Sequence, residues 1–195
     1  MYKIGDFSKI VDIPVRTLRY YAEYGVLVPS EIDKFTGYKY YSEANIIECE
    51  LIKLLNDFLV GINMGSDTFK SYEEKLENQD LKNEFKKILS TFASQKEIVV
   101  SQIDKLGGEV DESLGIGQEI GSFFSKLKDT LINGDEEVLE NAVKAMDMGV
   151  KQGDKVIGKI EASDANRDII ETLNHMVNEY REISVFLMKL HKGNW

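Results

Sequence analysis

Arg16-Thr17-Leu18-Arg19-Tyr20-Tyr21-Ala22-Glu23-Tyr24-Gly25 is the stretch from which the fold can be read. Pro14 stands just ahead of it, where a helix tolerates a missing N–H, and Gly25 stands where a helix stops, so a helix is predicted from Val15 to about Tyr24. At about 100° per residue, Val15, Leu18 and Ala22 fall on one side, toward a core. Arg16, Arg19, Tyr20 and Glu23 fall together on the other side, with Thr17 and Tyr21 at the flank. A short helix that presents two guanidinium groups and a phenol suits the phosphates and base edges of a DNA major groove. The plainer alternative is a solvated charged face; Glu23, on the same side, would repel phosphate unless it pairs with Arg19 four residues earlier. The flanking segments decide between the two.

Upstream, Ile4, Phe7, Ile10 and Val11 share one helical face, and Asp12-Ile13-Pro14 breaks the pattern, giving a first helix and a turn. Downstream, Val26-Leu27-Val28-Pro29 reads as a short strand, residues 30–37 as a polar turn, and Tyr38-Lys39-Tyr40-Tyr41 as a second strand. Ser42, followed by Glu43, caps a third helix whose buried face holds Ile46, Cys49, Leu51, Ile52, Leu54, Leu55 and Phe58. A helix-turn-helix followed by a hairpin is a winged helix-turn-helix. In it Tyr21 and Tyr41 read as packing residues, and Cys49, the one cysteine, as a small buried hydrophobe. Leu59-Val60-Gly61-Ile62-Asn63-Met64-Gly65 follows the third helix, and a fourth helix is predicted from about Ser66-Asp67.

Four blocks in this order, Ile4-Gly5-Asp6-Phe7-Ser8-Lys9, Arg16 to Tyr21, Gly25 to Pro29 and Gly37 to Ser42, resemble the mercury-resistance-regulator (MerR) family of transcription regulators. The resemblance covers residues 2 to about 60. It implies binding to double-stranded promoter DNA through Arg16, Thr17, Arg19 and Tyr20 of the second helix and Tyr38, Lys39 and Tyr40 of the wing. It also implies a homodimer that bends and untwists a promoter with badly spaced elements when an effector binds, so that RNA polymerase is reached indirectly, through the DNA.

Beyond the wing, Leu81, Phe85, Ile88, Phe92, Gln95, Val99, Gln102 and Leu106 alternate steps of four and three, a coiled-coil seam. Such a narrow stripe needs a partner, so Leu81, Phe85, Ile88, Phe92, Val99 and Leu106 are expected to hold two copies together. The other reading is a helix packed within its own chain. Glycines then cluster up to Gly117. Ile120, Phe123, Phe124, Leu127 and Leu131 suggest one amphipathic helix, Leu139 to Val150 a second, and Ile169 to Leu190 a long last one. The expected architecture is mainly α: a winged helix-turn-helix with a small β-hairpin wing (1–75), a coiled-coil helix (76–108), a linker (109–117) and a C-terminal helical bundle (118–195).

Composition sets bounds without deciding function. Net charge is −10 over 195 residues, and residues 1–65 carry seven bases against nine acids, so the DNA reading rests on placement rather than on charge. No long apolar run or secretory signal occurs, which points to the cytoplasm and away from a membrane. Residues 100–117 hold neither Cys nor His, and His175 and His191 lie sixteen apart on one predicted helix, so no metal or other cofactor is expected. No nucleophile–base pairing or phosphate loop suggests an enzyme. Phe123, Phe124, Met146, Met176 and Tyr180 are the residues expected to enclose a small lipophilic or cationic effector. Alternatively, they build the core of a bundle that binds a protein partner or only extends the dimer.

Overall fold

The computed structural model describes all residues except 24, 112–131, 133, 164–165 and 194–195. Strand β1 (Tyr2–Lys3) leads into α1 (Ile4–Val11), which ends at Asp12, a left-handed residue whose N–H returns to the Ser8 carbonyl. The Ser8 hydroxyl donates to the Ile13 carbonyl at 2.6 Å and fixes the turn into α2 (Val15–Glu23). Strands β2 (Glu31–Ile32) and β3 (Lys39–Tyr41) complete a three-stranded antiparallel sheet of order β1-β3-β2. Phe7, Val11, Leu18, Tyr21, Leu27, Tyr41 and Cys49 form its core, with Phe7 stacked on Tyr41 at 4.8 Å.

Residues 26–29 are not the strand expected of them. The Val26 and Leu27 amides both donate to the Tyr21 carbonyl, at 2.8 and 3.0 Å, closing the end of α2, and Leu27 plugs the core. With those donors spent, the wing's outer strand starts later, at Glu31, and β3 pairs on its other edge with Tyr2–Lys3.

The third helix, α3, runs unbroken for 33 residues (Glu43–Lys75), through the interruption expected at 59–65 and the later start expected near Ser66. Its N-terminus is held by Asn45, whose side chain accepts from the Ser42 amide at 3.1 Å and donates to the Val28 carbonyl at 3.0 Å. Gly65 lies inside the helix for packing: a Cβ there would sit 3.1 Å from the Phe92 ring. A mid-helix glycine costs about 0.5–1 kcal/mol, which close helix contact offsets.

Helices α4 (Gln79–Lys105), α5 (Asp135–Ala162) and α6 (Arg167–His191) join α3 in a single core. The α3–α4 and α5–α6 hairpins pack through α3 against α5 and α4 against α6. At the end far from the winged helix, the Asp135 carboxylate accepts the Glu77 and Asn78 amides at 2.6 and 3.0 Å. Inside, Phe69 packs on Phe85 and Phe92, and Phe92 on Tyr180, with ring centroids 5.3, 5.6 and 5.9 Å apart.

This corrects the expected dimer seam. Leu81, Phe85, Ile88, Phe92 and Val99 are at most 5% exposed within one chain, and Leu106 packs partly buried against the same core. The stripe finds its partners in α3 and the α5–α6 hairpin, so it presents no surface to a second copy. The division at 75/76 does not appear as a break between cores either, and that at 117/118 lies outside the described residues. The winged-helix cluster ends at Cys49 and the bundle cluster begins at Leu51, two residues on along the same helix. Among the described residues no helix is long and apolar enough to cross a membrane.

Candidate nucleic-acid interface

On α2 the core side is closed by Leu18 and Tyr21, while Arg16, Arg19 and Tyr20 stand exposed on the outer face and Thr17 is half-buried. The two residues read as packing, Tyr21 and Tyr41, are indeed buried, and burial pushes both phenols above their ordinary pKa. On the wing Tyr38 and Lys39 are exposed and Tyr40 is half-buried; the Lys3 ammonium lies 5.5 Å from the Tyr38 ring centroid. The sheet thus brings Lys3 to the wing face, a contribution absent from the sequence reading because a two-residue strand leaves no periodic signal.

The wing tip, expected as a polar turn, is closely organised. The Asp33 carboxylate accepts the amides of Phe35 and Thr36 at 2.8 and 2.9 Å, the Asp33 carbonyl accepts from Gly37 at 2.8 Å, and Gly37 takes φ +71°. The Thr36 amide first, then that of Phe35, holds the Asp33 carboxyl below its usual range. Phe35 sits on this turn with its side chain 100% exposed. An Asp followed four residues later by Gly was the available signal for such a turn.

Among the described residues, the loop after α4 ties the interface to the bundle. Residues 106–111 turn back from the end of α4 and pack Gly107 against Val26 and Gly108 against Ile52, where a Cβ would sit 2.7 Å from the isoleucine. Asn56, 1% exposed, clamps them: its amide donates to the Ile52 and Glu109 carbonyls, both at 3.1 Å, and its oxygen accepts the Asp111 amide at 2.8 Å. Lys53 reaches Asp12, beyond the end of α1, at 3.5 Å. Cys49 lies at this junction, and burial, with Glu48 and Glu50 adding, pushes its thiol up to about 12, so it stays a protonated packing group.

Of the expected effector residues, Phe123 and Phe124 lie outside the described residues. Met146, Met176 and Tyr180 are 2%, 2% and 5% exposed and build the bundle core instead of enclosing a cavity. Met176 alone also floors a groove of about 730 Å³ between α4 and α6, lined by Ser90, Thr91, Ser94, Gln95, Glu171 and Glu179 among others. The hydroxyls of Ser90, Thr91 and Thr172 donate to carbonyls of their own helices, so they present lone pairs to the groove. Buried Gln95 links core and groove: it accepts from the Tyr180 hydroxyl at 2.6 Å and donates to Glu179 at 2.7 Å.

Two short helices and a three-stranded sheet mounted on a four-helix bundle define the class of fold, a small N-terminal α/β unit with an appended helical domain. Comparison with known proteins agrees. Residues 3–41 match the family described as "MerR family regulatory protein", and residues 50–159 match "Domain of unknown function (DUF2383)". The chain is 29% identical over 105 residues to the "Multidrug-efflux transporter 1 regulator" of Bacillus subtilis (strain 168), a match covering 54% of this chain and 34% of that relative. It thus spans about a third of the length of that curated relative. The bundle resembles a solved structure titled "ferritin like, diiron-carboxylate proteins from Bacillus anthracis str. Ames", with TM-score 0.59 and 18% identity over 74% of this chain and 97% of that one. The chain belongs to the DUF2383 family, whose model covers the larger part of its length, and its N-terminal residues 3–41 are similar to the MerR regulatory family.

The likeness to the diiron protein concerns the fold. Diiron bundles draw their ligands from inward-facing Glu and Glu-x-x-His pairs. No Glu-x-x-His occurs in this sequence, and the inward positions hold Phe69, Phe85, Phe92, Tyr180 and Gln95. Among the described residues no three His, Cys, Asp or Glu side chains are grouped to hold a metal. The residues present do not fit a diiron centre.

Proposed function

We propose that the chain is a homodimeric transcription regulator that binds promoter DNA through α2 and the wing, and distorts it in response to a small organic effector carried by the bundle. The observation that carries this reading is the exposed trio Arg16, Arg19 and Tyr20 on α2, inside the MerR-matched region and beside the cationic wing residues Lys3 and Lys39. Tyr38, Lys39 and Tyr40 hold the flanking backbone, Thr17 flanks the base-reading face, and polymerase senses the result through the promoter.

The groove between α4 and α6 supports an effector that is cationic and rich in donors. Its hydroxyls offer acceptors, Glu171 and Glu179 offer charge, and Met176 and Ile98 offer apolar floor. α4 leads directly into the 106–111 loop that touches Val26 and Asn56, so a ligand that moves α4 changes the seat of the winged helix. With the 81–106 stripe used internally, the dimer needs another surface. Val185, Phe186 and Met188 of α6, 47%, 37% and 38% exposed, are the apolar side chains we assign to it.

The test is binding to the chain's own promoter. Arg16→Ala and Arg19→Ala should each weaken it and lower the salt slope by about one. Sedimentation should give twice 22.2 kDa, and Phe186→Glu should halve it. A thermal-shift screen of organic amines should yield stabilisation that Glu179→Gln removes. Unchanged DNA binding by both arginine variants would defeat the assignment.

A further inference from the structure

A fully exposed phenylalanine gains nothing from burial, and Phe35 is 100% exposed on a turn pinned by Asp33 through two amides and one carbonyl. The ring does not fold back on the wing, and it serves no core. Its reach is set by the hairpin: Thr36 lies five residues from buried Tyr41, three of them in β3 and the rest in the turn, so the tip stands at most about 16 Å from the winged-helix core. Half a turn of duplex measures about 17 Å, the distance from a major groove to the minor groove flanking it. With α2 seated in the major groove, the next minor groove is then at the limit of the tip's reach. Lys34 beside Phe35 is exposed and available to the phosphates at its edge.

We propose that Phe35 is an apolar wedge, inserted by the wing into the minor groove flanking the site read by α2, where it partly unstacks one base step. Apolar side chains inserted between base steps kink the duplex toward the major groove. The wedge selects a step that opens cheaply, a pyrimidine–purine step, and so adds sequence preference where α2 touches no base. This rests on the DNA-binding reading above.

The test uses the full-length chain and duplexes recovered by binding selection from a random pool, with 2-aminopurine placed half a turn from the α2 contact. Wild type should raise 2-aminopurine fluorescence on binding, and the selected pool should favour a pyrimidine–purine step there. Phe35→Ala should lose about tenfold in affinity, keep the wild-type salt slope because no charge is removed, and lose the fluorescence rise. Phe35→Leu should retain most of both, and all variants should melt like wild type, since the side chain packs against nothing. Wild-type affinity and fluorescence in Phe35→Ala overturn the wedge, as does lost affinity with no fluorescence rise in the wild type, which marks a contact without insertion. Arg16→Ala reads the parent assignment separately: if it binds poorly while Phe35→Ala binds normally, only the wedge fails. If no duplex is recovered at all, both fail.

Discussion

Replacing Asn56 with alanine should loosen the joint between the bundle and the winged helix. The side chain makes three hydrogen bonds in a site 1% exposed, and two of them, to the Glu109 carbonyl and from the Asp111 amide, are the ones that hold the returning loop. At about 1 kcal/mol net for each, with some penalty for groups left without partners, the loss comes to about 2–3 kcal/mol. For a chain of this size that lowers the melting midpoint by about 4–10 °C. Hydrogen exchange should localise the effect, with the Asp111 amide losing its protection while the middle of α3 keeps its own. Asn56→Asp sharpens the argument. Its carboxylate still accepts from Asp111 but faces the Ile52 and Glu109 carbonyl oxygens, acceptor against acceptor, while the protonated form donates to one of them. Burial and those oxygens raise its folded pKa above the unfolded value of about 4. The variant is therefore most stable below that value and loses stability as pH rises through the raised folded pKa. An alanine variant that melts within about 1 °C of wild type, with Asp111 still protected, would refute the clamp.

Phe85→Ala should cost about 3–5 kcal/mol in urea unfolding, because the ring is fully buried against Phe69 in the chain's own core; a loss only of dimer, with the fold intact, would reinstate the intermolecular seam. Tyr72 has a buried hydroxyl without a hydrogen-bond partner, and burial pushes its phenol up to about 12. The unfolded phenol ionises near 10, so its contribution to stability is complete below about pH 10 and is lost as pH rises toward 12. Alkaline unfolding followed by circular dichroism should show a shallower loss in Tyr72→Phe than in wild type.

The interface was legible in the sequence because local chemistry dictates it. Pro14 and Gly25 bound α2, a period of 3.6 separates Leu18 from Arg16 and Arg19, and Gly37 marks the wing turn. The three-stranded sheet was not legible, since β1 and β2 have two residues each and their register comes from Tyr41 packing on Phe7. The passage of α3 through residues 59–65, where a gap between two helices is expected, rests on tertiary packing. Gly65 makes room for Phe92, a contact 27 residues away that periodicity does not see. Likewise the 4-3 spacing of Leu81 to Val99 reports that α4 has a narrow apolar stripe, and it is silent on whether the partner lies in the same chain. The groove was not legible for the same reason: Met146 and Tyr180 at helical spacing are core, Met176 is core that also floors the groove, and the groove wall is made of Ser, Thr and Glu that look like ordinary solvated positions.

The continuity of α3 also restricts how such a chain can be assembled or altered. Each residue inserted into an α-helix turns everything beyond it by about 100° and advances it by about 1.5 Å. One residue added between Cys49 and Leu51 would swing the DNA-reading end roughly a quarter-turn around the bundle and carry Val26 away from Gly107. Reader and bundle are thus geared together in phase. Exchanging either for another of its kind requires a splice that preserves the angular setting of the rod, and a linker of arbitrary length would not serve.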